Sequence, residues 1–118
     1  MVAGAIASTS PAALASPAKP NVAASLCKTN GEEVLSNGPI QLWYSPTCRT
    51  AWAVSSTPIG AGISVYNKDT GATAGAVIPS PAQRTVTAAV DDAGTQSQAC
   101  EQYIVLHNQL VRFCTGFF

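Results

Sequence analysis

An all-β domain, a small disulfide-stapled sandwich or barrel of about seven short strands with an extended N-terminal arm, is what three features of the 118-residue sequence predict. Short runs of β-branched and aromatic residues recur between clusters of Gly, Pro, Asn and Asp, the pattern of strands separated by turns. No run keeps a helical period long enough for a convincing helix. Four cysteines in so short a chain supply the staples a small core needs, and the core is expected to be small: apolar residues are 47% of the chain but aromatics only 7%, and much of the difference is alanine.

Residues 1–15, with "VAGAIA" and with "ALA" before Ser16, read as a signal-peptide remnant, because the peptidase pocket admits only small side chains at the cleavage site. The basic start of such a peptide is missing, which makes Met1 either a misassigned start within a longer precursor or an artificial boundary. Residues 16–26 form the arm. Pro17 and Pro20 favour extension there, and Val22, Ala24 and Leu26 then alternate along one side. Pro20, Val22, Ala24 and Leu26 are therefore the candidate partner-binding positions. Such a segment suits strand addition: main-chain bonds supply affinity while small side chains enter shallow pockets. The competing reading is a spacer that clears the peptidase site.

The β domain spans 27–118. "IQLWYS" (40–45) and "TAWAVS" (50–55) flank "PTCR" as a hairpin in which Trp43 faces Trp52. "GISVYNK" (62–68) meets the turn "DTG" (69–71), "TAGAVI" (73–78) returns to "PSP", and "QRTVTAAV" (83–90) precedes the turn "DDAGT". A last hairpin turns near "LHN". Glu32 and Glu33, beside Asn30 and Gly31, read as a solvated turn.

Export to an oxidising compartment makes the four cysteines a disulfide framework. Three connectivities are open to them, and the local pattern favours Cys100 with Cys114, equidistant from His107, which leaves Cys27 for Cys48. Zinc would bring closely spaced ligand pairs, and the sequence has none. Six Lys and Arg balance six Asp and Glu, and the basic residues are scattered, unlike a phosphate-binding face. No stretch approaches the roughly 20 apolar residues that span a bilayer.

"LWYSPTCRTAWA", "VDDAGTQSQAC" and the closing "CTGFF" are similar, in order and spacing, to the YjfA-like family of small secreted actinobacterial proteins, over residues 26–118. The resemblance implies a compact disulfide-bonded β domain without established catalytic residues. Some small secreted proteins of this type resemble the adaptor subunit of umbrella toxin particles, which implies an arm docked in a lectin-like subunit and a β domain bound to the large toxin scaffold.

The residues themselves point away from catalysis. Cys48 has Arg49 beside it but no local base, and Val54 stands where a phosphatase loop would place arginine. Trp43, Tyr44, Pro46, Arg49 and Trp52 read as a structural hairpin, with Pro46 setting the turn and Arg49 stacked on an indole or bonded to turn carbonyls. Asp91 and Asp92 are adjacent on a strand and point apart; His107 is expected to be an exposed tip. No catalytic residue, metal or cofactor is expected. The leading expectation is a secreted non-enzymatic adaptor. The alternative is an inhibitor or binder of a hydrolase or cell-wall component that presents "STPIGAG" (56–62), and a small secreted enzyme comes third.

Overall fold

Residues 30–118 are described by the computed structural model, and they form two antiparallel sheets with no α-helix among them. The strands are β1 (Glu32–Asn37), β2 (Ile40–Ser45), β3 (Thr50–Ser55), β4 (Gly62–Asn67), β5 (Thr73–Val77), β6 (Thr85–Val86), β7 (Val90–Asp91), β8 (Ser97–Val105) and β9 (Gln109–Cys114). One sheet runs β1-β2-β3-β6, with β7 also on β3, and the other runs β5-β4-β8-β9. The all-β class is therefore as the sequence predicts.

Nine strands replace the expected seven for two reasons. Glu32 and Glu33 lie in β1, an edge strand, rather than in a turn; a bulge between Glu33 and Leu35 brings Val34 and Leu35 together and removes the alternation by which a strand is recognised. The predicted strand 83–90 is two short pairings with β3, Val54 to Val86 and Ala51 to Val90. Between them Thr87 turns its hydroxyl to the main chain, accepting from Ala53 N and donating to Ala88 O.

Alternation decides the core. Ile40, Leu42, Ala51 and Ala53 of one sheet face Ile63, Val65 and Ala99 of the other, with Ala61, Ile78 and Val90 at the ends, all buried. Such small side chains bring the sheets together around little apolar volume, so much of the closure is polar or peripheral. Asn67 is fully buried: its Nδ2 lies 2.7–3.2 Å from Asp91 O, Asp92 Oδ1, Thr95 Oγ1 and Ser97 Oγ, while its Oδ1 accepts from Asp69 N and Thr70 N. That one amide joins the β4–β5 turn to the segment between the sheets. After β9 the main chain continues along β8, with Phe118 bonded both ways to Ser97, and the Phe118 ring stands edge-on to Tyr44 of the other sheet at 5.3 Å.

The terminal hairpin matches the sequence reading. Cys100 opposes Cys114 in the β8–β9 register and is disulfide-bonded to it. Cys48 is also disulfide-bonded. Its expected partner Cys27, the arm positions Pro20, Val22, Ala24 and Leu26, and the signal-peptide remnant 1–15 all lie outside the described residues.

Candidate functional site

The hairpin that drew attention in the sequence is a packed structural unit. Trp43 pairs with Trp52 across β2 and β3, as alternation requires. Trp52 is only 1% exposed, and Gly31 approaches its ring so closely that a Cβ there would collide with it. In the connecting turn Arg49 N donates to Ser45 O, Cys48 N donates to Ser45 Oγ, Pro46 is exposed, and Arg49 adopts a left-handed φ of 57°. Among the described residues, the cation over the Trp43 ring is not Arg49. It is Arg84, whose guanidinium lies 5.2 Å from the Trp43 ring, carried there by the return of the chain to β3 at β6, a long-range contact that local spacing does not announce. A disulfide at Cys48 leaves no thiolate to act as nucleophile or metal ligand.

Asp91 and Asp92 separate as alternation requires: Asp91 is exposed and accepts from Ala93 N, whereas Asp92 is 4% exposed and accepts from Asn67, Thr95 and Ser97. Burial pushes the Asp92 carboxyl above the usual carboxylate range, the bonds from Ser97 and Thr95 pull it back, and Asp91 and Asp69 add a smaller upward push. The neighbouring motif residues are thus part of the polar closure of the fold. Among the described residues no group of three or more His, Cys, Asp or Glu is placed to hold a metal ion.

Glu101 is a buried acid that the sequence reading passed over. Its neighbours in register are Ile63 and Phe113, so it points into the core, where it is fully buried. Oε1 lies 2.6 Å from Ser55 Oγ, whose second contact is Thr57 O at 3.3 Å, and Oε2 has no hydrogen-bond partner. Burial pushes its pKa up, and the Ser55 contact opposes this less strongly. A hydroxyl has one proton to give. Both short contacts of Ser55 are satisfied when the neutral acid donates to Ser55 and Ser55 donates to Thr57 O. The signal was present in the cysteines: if residue 100 faces one way in a strand, residue 101 faces the other.

Part of the exposed surface is apolar. Ile59, Ile104 and Leu110 are each more than half exposed and line one groove with Gly60, Gly62, Gln102 and Tyr103. Leu106 is 83% exposed at the hairpin tip, and Val77, 65% exposed, pairs with Gly62 at the groove's edge. Ile59 belongs to the predicted loop 56–62, which is pinned from behind by Gly60 N to Ile78 O and Ile78 N to Ala61 O. Scattered surface apolar residues need no explanation, but large side chains gathered in one contiguous patch mark interaction sites. His107 sits at the tip, exposed, as expected from the sequence.

A family model described as a protein of unknown function (DUF2690) matches residues 13–102. No curated protein and no solved structure matches the chain.

Proposed function

The chain belongs to the DUF2690 family, and from that starting point and its surface we propose that it is a non-enzymatic secreted adaptor or structural subunit that binds protein partners. The observation that carries this reading is the exposed apolar groove of Ile59, Ile104 and Leu110, continued by Leu106 and Val77, on a fold whose polar and sulfur chemistry is spent on closure. Two further features support it. The disulfides suit an oxidising compartment, and the arm expected over 16–26 is suited to strand addition. The resemblance to small YjfA-like secreted proteins, and through them to the adaptor of umbrella toxin particles, names the partners to seek: a lectin-like subunit for the arm and a large toxin scaffold for the β domain.

Affinity purification of the protein from its native culture medium, followed by mass spectrometry, tests the reading. Co-purification in fixed ratio with a large scaffold chain and a lectin supports it. A lone protease favours the inhibitor alternative, for which the pinned loop 56–62 with exposed Ile59 gives specific structural support. Recovery of the chain alone counts against both.

A further inference from the structure

We propose that the projecting end of the β8–β9 hairpin is a docking finger that enters an apolar cleft of a protein partner, with a carboxylate at the mouth of that cleft meeting Arg112. This deepens the adaptor reading and rests on it.

The finger is defined by register. The last pair between β4 and β8 is Gly62 with Gln102, whereas β8 and β9 stay paired through Tyr103 with Val111, Ile104 with Leu110 and Val105 with Gln109. Residues 103–111 therefore extend beyond their third strand. A two-stranded ribbon without a third layer is marginal in water, and this one carries Ile104, Leu106 and Leu110 more than half exposed and Val105 38% exposed. Exposed ribbons are commonly protected by lysines, other charges or proline. Between Tyr103 and Val111 there is no Asp, Glu, Lys, Arg or Pro. Such a surface is suited to being dry.

His107 and Asn108 both adopt left-handed backbone, φ 65° and 58°, where glycine would be the easier choice for folding. His and Asn are among the side chains best tolerated in this region, so the turn closes with both of them at the extremity.

Charge selects the partner. Arg112 is exposed and opposes Gln102 at the base of the finger, on the side of the sheet that Ile104 and Leu110 share by alternation. No acidic side chain among the described residues forms an ion pair with it; the carboxylate nearest in register on β8, Glu101, is fully buried and bonded to Ser55. A carboxylate supplied from outside completes the site. An anionic membrane is a poorer match, because surface attraction grows with each clustered basic residue and the finger has one cation at its base.

A photo-crosslinking residue at position 106, with Ser36 on exposed β1 as the control position, is introduced into the protein secreted by its native culture. The proposal expects one discrete heterologous adduct at 106 and none at 36. The captured protein is then purified and titrated with wild type, Leu106→Gln, Ile104→Thr and Arg112→Glu, each first checked for an unchanged melting temperature. Leu106→Gln or Ile104→Thr should weaken binding about thirtyfold or more. Arg112→Glu should weaken it about tenfold, with a smaller effect at high salt. Equal binding by wild type and the tip variants overturns the finger while leaving the adaptor reading in place; so do adducts at both positions, a homodimer adduct alone, or flotation of wild type with phosphatidylglycerol vesicles that Leu106→Gln abolishes. Absence of any protein adduct at 106 overturns the finger, and absence of any partner in the culture medium overturns both.

Discussion

At the scale of single residues, two groups carry more than their size suggests. Burial raises the Glu101 pKa, so between the ordinary carboxylate pKa and the raised one the folded chain keeps a proton that the unfolded chain has already lost. Its contribution to stability is then fully present below the ordinary carboxylate pKa and is lost as pH rises through the raised value, and Asp92 acts with the same sign. Glu101→Gln preserves a donor for Ser55 and removes the titration. Urea midpoints followed from about pH 4 to 8 should fall less steeply for the variant than for wild type; parallel slopes would assign the pH dependence to other groups. Gly31 is the second case. Alanine there drives a Cβ into the Trp52 ring, and overpacking of this kind should cost about 1–3 kcal/mol in chemical denaturation. The inward face of Glu101 followed from the opposite facing of Cys100, but the role of Gly31 was not visible in the sequence: it stands beside Asn30 and reads as turn, and its indole neighbour is 21 residues along the chain.

At the scale of elements, what repeats locally was legible and what closes over distance was not. The β2–β3 and β8–β9 hairpins follow from alternation, turn residues and the symmetric placement of Cys100 and Cys114, and both form with the expected facing pairs. The bulged β1 and the divided β6 and β7 escaped because neither keeps a period of two over enough residues. Arg84 reaches Trp43 by the same kind of return. Replacing Arg84 by alanine should cost about 0.5–1 kcal/mol in denaturant titrations, since the pair is only part-covered, and Arg49→Ala should cost less. For the terminal hairpin, opening the Cys100 to Cys114 bond across its sequence separation of 14 by paired serine substitution should lower stability by about 3 kcal/mol. The finger beyond it was legible only as "IVLHNQL", because whether such a run is core or surface depends on where the third strand stops.

At the scale of the whole molecule, the stretches "LWYSPTCRTAWA", "VDDAGTQSQAC" and "CTGFF" help to close the sandwich: Tyr44 meets Phe118, Asp92 meets Ser97 and Asn67, and Cys100 meets Cys114. The most exposed large apolar residues, at 59, 77, 104, 106 and 110, lie outside those stretches, whereas Phe117 and Phe118 of the closing stretch are exposed to a lesser degree. Fold and binding are thereby separable, and so are the two binding elements of the proposed adaptor. Deleting residues 16–25 should remove one partner, leave the β domain folded by circular dichroism, and leave finger-dependent binding intact. Within the arm, Val22→Asp should be far worse than Ala23→Asp, because a charge forced into a closed cleft loses its hydration while the neighbouring position on the opposite side stays wet. The measurement that bears most directly on the proposed adaptor is the native mass of the species that contains the chain, taken from culture medium without denaturant. The account predicts a heteromeric particle of fixed stoichiometry that loses a component when the arm is deleted; a lone chain, of unchanged mass after the deletion, would contradict it.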